Sequence, residues 1–344
     1  MAPTLASALT LSATAYTTKI STKLLCRSIK VEGLPILLDA LRERPLSSIS
    51  SLKGKEKEIS LGVEGGASVE ESGGLGRRGI VTVCNHNSVI DDPTMWSMLP
   101  VSNYFPFASP SHTSRNTRWT LGASDIMFTK PWHRQFFTNG QVIETFRGKG
   151  IFQPAVDHAV KLLQDGEWIH IFPEGRVNQE NVNPQGGLLR FKWGIGRIIM
   201  DSKIMPEIIP IWISGYDQMM NENRGFPRPF PRPGAKISMT VGESLTDRIQ
   251  PLVDQWREMA SKEPGAVGVG GDWAETGTEQ GDGGRLKDIR SKGDMAQGGE
   301  KDVRIKICEV LQEGVRQLGE RVERAEGRFD RGDWSQSTRR VSST

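Results

Sequence analysis

The chain has 344 residues, of which 25% are charged and 36% apolar, and its formal net charge is +3. This length allows one large domain or two modest ones, with a real hydrophobic core. The small net charge gives no indication of nucleic-acid binding, and no stretch reaches the roughly 18 consecutive apolar residues of a membrane-spanning helix. The three cysteines form no C-x-x-C pair, so the sequence indicates neither a disulfide framework nor a zinc site.

Residues 1–45 are predicted to be a targeting or interfacial segment that includes a first helix. Its first 30 positions contain no acidic residue and carry four cations, Lys19, Lys23, Arg27 and Lys30, among many Ser, Thr and Ala. Such a composition is typical of a mitochondrial targeting sequence, and it fits an uncleaved helix in the membrane interface equally well. The late first basic residue, at position 19, argues against an ordinary transit peptide.

Two glycine-rich stretches divide the remaining chain. Residues 46–78 are interpreted as a flexible linker and residues 263–301 as a disordered insertion. Between them, residues 79–262 are predicted to form the main domain. Apolar side chains recur at helical spacing over residues 302–326, which predicts a helix that docks on this domain, and residues 327–344 are interpreted as a tail.

Strands and helices alternate within the main domain. The patterns predict strands at 80–84, 168–172, 208–213 and 236–241, and helices at 153–165 and 188–201. Such alternation predicts an α/β fold with a mixed, largely parallel sheet flanked by helices.

The first candidate site follows the strand at 80–84, where His86 and Asp91 are separated by four residues. A hydroxyl nucleophile needs a base, and an imidazole, which titrates near pH ~6.5, can accept its proton. A carboxylate on the other ring nitrogen fixes the tautomer and stabilises the imidazolium, and Asp91 is the natural candidate. Asp92 is expected to cap the next helix. Taken alone, the segment fits a turn histidine with two capping aspartates equally well. Cys84 suggests a Cys-His nucleophile pair, but a buried core cysteine is the preferred interpretation.

The second candidate site is Phe172-Pro173-Glu174-Gly175-Arg176, directly after a predicted strand. Glu174 and Arg176 beside Gly175 are suited to a phosphorylated, hydroxylated headgroup, because arginine binds phosphate bidentately and glycine allows close backbone approach. An ordinary strand-to-loop turn explains the segment without any ligand.

The third candidate site is the basic loop 145–150, in which Arg147 and Lys149 alternate with Gly148 and Gly150. Its cations, together with the amides of the helix that follows, form a candidate phosphate-binding site. A solvated basic loop is an equally good interpretation.

In this order, the three segments resemble the motifs of the glycerolipid acyltransferase superfamily. Four longer segments narrow the resemblance to the tafazzins: 85–93, 118–130, 168–178 and 189–197, of which the last is the most specific. The resemblance spans about residues 25–246, roughly two-thirds of the chain, and leaves out both glycine-rich stretches.

The resemblance implies more than the residues show. Tafazzins are transacylases that exchange acyl chains between phospholipids and lysophospholipids, such as phosphatidylcholine, cardiolipin and monolysocardiolipin, without needing acyl-CoA. They associate with the intermembrane-space-facing leaflets of the mitochondrial outer and inner membranes. By similarity, His86 and Asp91 are catalytic, and the substrate-binding residues are Arg147, Gly148, Glu174, Gly175 and Arg176. Nothing in the sequence calls for a metal or an organic cofactor.

Alternatives remain open at this stage. An acyl-CoA-dependent lysophosphatidate-type acyltransferase would use the same base and headgroup residues, and a non-catalytic membrane-binding scaffold would need no base at all. Two segments are candidates for the membrane contact. One is residues 195–213, although a core helix followed by a buried strand is the preferred interpretation for the C-terminal half of this segment. The other is the Phe-, Arg- and Pro-rich loop 226–233. The oligomeric state is left undetermined.

Overall fold

The computed structural model describes residues 4–42, 78–104, 116–262 and 299–340. The predicted linker and insertion lie outside the described residues, apart from position 78 and positions 299–301. Both therefore stay predictions.

The described part of the chain contains seven β-strands. They are β1 (Ser28–Glu32), β2 (Ile80–Cys84), β3 (Trp119–Ala123), β4 (Val142–Thr145), β5 (Trp168–Ile171), β6 (Glu207–Ser214) and β7 (Lys236–Val241). The strand predictions at β2, β5, β6 and β7 are confirmed to within one residue at each end, whereas β1, β3 and β4 were not predicted.

The described helices vary widely in length. They are α1 (Leu5–Leu25), α2 (Leu34–Leu41), α3 (Asp91–Trp96), α4 (Ser124–Met127), α5 (Pro131–Asn139), α6 (Pro154–Gln164), α7 (Gly194–Asp201), α8 (Tyr216–Met219), α9 (Thr246–Lys262) and α10 (Glu300–Ala325), with a 3₁₀ turn at Val101–Tyr104. Within the described residues, none of these helices combines the length and the hydropathy needed to cross a bilayer.

The strands form one sheet in the order β1-β7-β6-β2-β5-β3-β4. Strands β2 to β6 all run parallel to one another, whereas β7 is antiparallel to β6 and β1 is parallel to β7. This mixed, largely parallel sheet flanked by helices is the predicted fold class.

Both faces of the sheet are covered by apolar side chains. In β2, Val81 and Val83 belong to one core cluster, and Ile80 and Cys84 belong to the cluster on the opposite face. This alternation follows the two-residue period of a strand, and burial on both faces is typical of parallel sheets. The prediction that Cys84 is a buried core residue is confirmed.

The helix predicted at 188–201 is wrong in its first half, because α7 begins only at Gly194. Backbone amides that a helix would use are already bound elsewhere. The Leu189 N–H donates to Glu174 (2.8 Å), and the Lys192 N–H donates to the Pro173 carbonyl (2.8 Å). Residues 188–193 are thereby held as an extended loop against the loop that follows β5.

The interpretation of residues 195–213 as an interfacial membrane segment is also wrong. Its helix and strand, α7 and β6, are almost entirely buried in the core of the domain. The alternative, a core helix followed by a buried strand, is the observed structure.

Helix α10 packs across β6 on one face of the sheet. Apolar side chains along its length, among them Val303, Ile307, Leu311 and Val315, belong to the core cluster on that face. The backbone of α10 lies so close to Trp212 that a Cβ added to Gly319 would lie 2.4 Å from the indole ring.

Candidate active site

The candidate site residues lie where parallel strands end. Because β2, β3, β4 and β5 are parallel, their carboxyl ends meet at one edge of the sheet, where ligands bind in open α/β folds. His86 follows β2, and Glu174 follows β5, its direct neighbour. Arg147 follows β4, which lies two strands beyond β5.

His86 and Asp91 are paired as predicted. Nδ1 of His86 lies 2.9 Å from Oδ2 of Asp91. The same carboxylate oxygen accepts the backbone N–H groups of Asn87 (2.5 Å) and Ser88 (2.7 Å). Because these N–H groups fix the carboxylate, the imidazole is held in one orientation with Nδ1 as the protonated nitrogen, which leaves Nε2 to act as a base.

Asp91 is fully buried, whereas 21% of the His86 side chain is exposed. Burial raises the pKa of Asp91, and the hydrogen bonds from His86 and from the Ser88 and Asn87 amides oppose this rise. The His86 ring stacks on Phe172, with centroids 4.4 Å apart and planes 22° apart. The ring is therefore clamped by Asp91 at one edge and by Phe172 on one face, with part of it open to solvent.

Asp92 has a different partner from the one expected. Its carboxylate forms an ion pair with Arg118, and its Oδ1 also accepts the indole N–H of Trp96 (2.9 Å). The interpretation of Asp92 as a helix cap is corrected: α3 has Ile90 at its N-cap position, without a side-chain cap. The pair links α3 to the start of β3, because Arg118 precedes Trp119.

Glu174 lies behind His86 and is only 1% exposed. Its Oε1 accepts the backbone N–H of His86 (2.9 Å), and its Oε2 accepts the Leu189 N–H (2.8 Å) and the Asn178 side-chain amide (2.7 Å). Burial raises the pKa of Glu174 to about 7, against the effect of these donors. Glu174 thus connects the His86 loop to two positions of the chain after β5, Asn178 and Leu189.

Next to this buried carboxylate, the loop surface is cationic. Gly175 has φ +73°, a conformation that favours glycine, and a Cβ added there would lie 3.4 Å from the Lys192 side chain. Arg176 and Lys192 are both exposed. Lys192 lies within the most specific segment of the tafazzin resemblance, but sequence reasoning assigned it no role.

The basic loop after β4 is held in place by hydrogen bonds to a side chain at the start of α6. Gln153 accepts the Phe146 N–H (2.9 Å) and donates to the Gly150 carbonyl (2.7 Å), which closes the loop onto the start of α6. Gly148 has φ +78° and faces open space. Arg147 is half exposed, and its partner is Asp125 at 3.4 Å. Arg147 thus shares the sheet edge with His86 without contacting it.

A residue from the end of the chain, Gln336, completes the cluster and was missed by the sequence analysis. The interpretation of residues 327–344 as a tail is corrected for this part, since Gln336 is only 1% exposed. Its amide binds Asn85, Asn87, the His86 carbonyl and Glu174. A lone glutamine in a polar stretch gives no sequence signal for such a position.

Comparisons with known proteins indicate which kind of domain carries these residues. A family model described as "Acyltransferase" matches residues 62–214, which include the loops of His86, Arg147 and Glu174. A tafazzin from Dictyostelium discoideum is 36% identical over 170 residues, 49% of this chain and 55% of the relative. A tafazzin from Drosophila melanogaster is 37% identical over 166 residues, 48% of this chain and 40% of the relative.

Residues 62–214 therefore match an acyltransferase family, and the sequence of this domain is similar to the tafazzins. An N-acylphosphatidylethanolamine synthase from Arabidopsis thaliana is also similar, at 35% identity over 177 residues, 51% of this chain and 58% of the relative. The chain spans about half the length of these curated relatives.

Within this acyltransferase domain, the alternative nucleophile Cys84 is unsuitable. It is completely buried, and burial raises the pKa of its thiol well above the ordinary range. Because the thiolate is the reactive form, a buried thiol of this kind is inert. Its Sγ contacts the side chain of Asn85 (3.4 Å) rather than His86. The burial of Cys84 therefore argues against a covalent mechanism through this thiol.

Proposed function

We propose that this chain is a CoA-independent phospholipid–lysophospholipid transacylase that remodels the acyl chains of cardiolipin in mitochondrial membranes. The observation that carries the proposal is the His86–Asp91 pair, with its 2.9 Å contact, in a chain of tafazzin-like sequence. A scaffold protein would need neither a partly open imidazole nor a buried carboxylate to orient it.

The reaction follows from the free ring nitrogen of His86. Nε2 takes the proton of the free glycerol hydroxyl on the lysophospholipid, and the hydroxyl oxygen attacks the ester carbonyl carbon of the donor phospholipid. The tetrahedral intermediate collapses, the bond from the carbonyl carbon to the donor's glycerol oxygen breaks, and that oxygen takes the proton back from His86. Asp91 stabilises the imidazolium in between. Both sides of the reaction hold one ester and one hydroxyl, so the exchange is reversible.

The predicted substrate-binding residues take two roles in this proposal. Glu174 is a positioning residue, because its oxygens are buried and accept hydrogen bonds from the protein. Arg147 and Arg176, with Lys192 added, are the exposed cations that bind the phosphate groups. Gly148 and Gly175 supply the left-handed turns that present these loops.

A membrane surface is required for lipid substrates, and the α4–α5 segment is the best candidate for contacting it. None of the residues of α5 is buried. Trp132 and Phe136, one turn apart on this helix, are 64% and 47% exposed, and Ile126 on α4 is 58% exposed. Since α4 follows the carboxyl end of β3, this apolar surface begins at the same sheet edge as His86.

Cations accompany these apolar side chains. Lys130 lies over the Trp132 ring, with its Nζ 5.9 Å from the ring centroid, and Arg134 lies between Trp132 and Phe136 in sequence. Aromatic rings interleaved with cations are suited to the interface of an anionic bilayer. Helix α1 adjoins α5, through the Ser7 hydroxyl that donates to the Asn139 carbonyl (2.6 Å). Leu5, near the start of α1, is also exposed.

The test uses purified protein on liposomes that contain acyl-labelled phosphatidylcholine and monolysocardiolipin, without CoA. We expect label in cardiolipin with the wild type and none with His86→Ala. His158→Ala is the matched control, because His158 is an exposed histidine on α6 that takes no part in the site. Transfer that begins only when acyl-CoA is added would replace the proposal with the acyl-CoA-dependent reaction. No transfer under either condition, with lipid binding intact, would favour the scaffold.

The similarity to an N-acylphosphatidylethanolamine synthase adds one further arm to the assay. That protein's name indicates the amine of phosphatidylethanolamine as the acyl acceptor, and the same base can take a proton from the ammonium form of this group, which frees the amine to attack the ester. Phosphatidylethanolamine is therefore offered alone and in competition with monolysocardiolipin. Label that accumulates as an N-acylated product, in preference to cardiolipin, would reassign the acceptor from a hydroxyl to an amine.

A further inference from the structure

The side-chain amide of Gln336 makes all four hydrogen bonds that a primary amide can make. Its carbonyl oxygen accepts from the side-chain amides of Asn85 (2.8 Å) and Asn87 (3.3 Å). Its NH₂ group donates to the backbone carbonyl of His86 (3.1 Å) and to Oε1 of Glu174 (3.3 Å). A carboxylate lacks the two donors and a thioether lacks both kinds of group, so glutamine is chemically specified at this position.

These bonds converge on the backbone of His86. The His86 N–H donates to Glu174, and its carbonyl accepts the Asn178 N–H (2.8 Å) as well as the Gln336 amide. The flanking side chains are fixed in turn. Asn85 exchanges two hydrogen bonds with the backbone of Ile213 at the end of β6, each of 2.9 Å. Gln336 thus connects the loops after β2 and β5 at the point where the base is attached.

The segment that carries Gln336 is itself anchored at several points. The hydroxyl groups of Ser335 (2.5 Å) and Ser337 (2.8 Å) donate to Glu323, a buried carboxylate on α10. The Trp334 indole N–H donates to the Asn183 carbonyl (2.8 Å). Residues 334–337, named here the C-terminal strap, therefore join α10 to the loop that follows β5.

We propose that Gln336 is a positioning residue of the acyl-transfer site, and that the C-terminal strap is a required part of that site although it lies far beyond the region matched by the family model. The proposal rests on the proposed function for its activity readout. Gln336 does not touch the substrate; it holds the backbone of His86 so that Nε2 stays aligned with the substrate hydroxyl. Misplacement of a reacting group by about 1 Å can cost about 100-fold in rate.

The experiment uses the full chain with Gln336→Met, which keeps the approximate shape and removes all four hydrogen bonds. We expect kcat per folded molecule to fall by at least about tenfold, with KM for the lipids changed less than about twofold, because only the alignment of the base is lost. The matched control is Gln317→Met, at an exposed glutamine on α10. The proposal is overturned if Gln336→Met keeps the wild-type kcat, or if its loss of activity matches its loss of folded protein.

A second variant separates positioning from simple packing. Gln336→Glu keeps an acceptor for Asn85 and Asn87 but places a second carboxylate beside Glu174. Titratable and charged groups surround this cluster: His86, Glu174, Asp91, whose Oδ2 accepts the Asn87 N–H (2.5 Å), Asp217, whose N–H donates to Asn87 (2.7 Å), Glu323 behind the strap, and Arg328, which lies near both Asp217 and Glu323. We expect activity relative to wild type to rise as the pH falls, because a protonated carboxyl regains a donor. The same ratio at every pH contradicts the proposal.

A readout that needs no activity keeps the inference separate from the proposed function. If the wild type transfers no acyl group, the ring signals of His86 are compared by NMR between the wild type and Gln336→Met; the chain has only five histidines. Shifted His86 signals support the positioning role even when the proposed reaction fails. Unchanged signals overturn it.

Discussion

Oδ2 of Asp91 lies 2.9 Å from Nδ1 of His86 and accepts two backbone N–H groups of the same loop. One buried oxygen thus both shapes the loop and orients the His86 ring. The sequence spacing alone left open whether Asp91 was only a helix cap, and the geometry supports its role as the orienting carboxylate.

Asp91→Asn is expected to lower kcat by about 10³- to 10⁴-fold, because a neutral amide does not stabilise the imidazolium and permits the wrong tautomer. Steady-state acyl transfer on mixed liposomes measures the effect. Asp254→Asn, at an exposed aspartate on α9, is the control and is expected to behave as wild type. Retention of more than about a tenth of the wild-type kcat would remove Asp91 from the mechanism.

Glu174 should make the stability of the fold depend on pH. Burial raises its pKa from 4.5 to about 7, so between these values the folded state binds more protons than the unfolded state. Its contribution is therefore complete below pH 4.5 and is lost as the pH rises through about 7, which amounts to about 3 kcal/mol. Thermal unfolding of the wild type and Glu174→Gln at pH 5 and pH 8 isolates this contribution. A pH dependence that is the same in both proteins would contradict the assignment.

The cations beside Gly175 should govern the affinity for phosphorylated lipids. Arg176→Gln and Lys192→Gln are each expected to raise KM for the lysophospholipid by about 10-fold or more, with a smaller effect on kcat, because charge-assisted hydrogen bonds contribute about 1.5–3 kcal/mol. Arg190→Gln is the neighbouring control, since the Arg190 guanidinium lies over the Trp193 ring, 5.1 Å from its centroid. An equal rise in KM for all three variants would indicate a general loss of surface charge.

The exposed apolar surface of α5 should be needed for binding to vesicles but not for the acyl-transfer reaction. The double substitution of Trp132 and Phe136 by Ala is expected to weaken binding to anionic vesicles by at least about tenfold, because each buried aromatic contributes about 1.5–3 kcal/mol. Activity on detergent-dispersed lipid should remain near wild type. Sedimentation with vesicles measures the binding.

The matched comparison for this surface is the double substitution of Phe226 and Phe230 by Ala, in the exposed proline-rich loop that the sequence also suggested. If this second variant loses vesicle binding while the α5 variant keeps it, the membrane contact lies on the loop instead.

Position 319 should not tolerate even the methyl side chain of alanine. Gly→Ala inside a helix normally stabilises it by about 1 kcal/mol, but at Gly319 the new methyl group would overlap the ring of Trp212. Overpacking of this kind costs about 1–3 kcal/mol, so Gly319→Ala is expected to lower the midpoint of thermal unfolding. At Gly314→Ala, on the same helix, the methyl group meets the flexible end of Leu245, and the loss should be smaller. If Gly314→Ala lowers the unfolding midpoint more than Gly319→Ala, α10 packs on β6 differently from the structure described above.

The amino-acid sequence by itself determined the elements whose signals are local. Strands β2, β5, β6 and β7 are short, strongly apolar runs, and α6 has a helical apolar period bounded by Pro154 and Gly166. The alternation of these elements was sufficient to predict the fold class. The pairing of His86 with Asp91 was also accessible, because the two residues belong to one short loop after a buried strand.

Only the tertiary structure decided the features that depend on distant partners. β1 is a largely exposed edge strand, and its conformation comes from pairing with the backbone of β7. Residues 188–193 do not extend α7 at its N-terminus, and two of their amides are bound elsewhere, that of Leu189 by Glu174 and that of Lys192 by the Pro173 carbonyl. Gln336 reaches the site only because α10 returns the chain to the end of β2. Hydrogen-bond partners so far apart in sequence leave no periodic or spacing signal, since their approach is set by the packing of the whole domain.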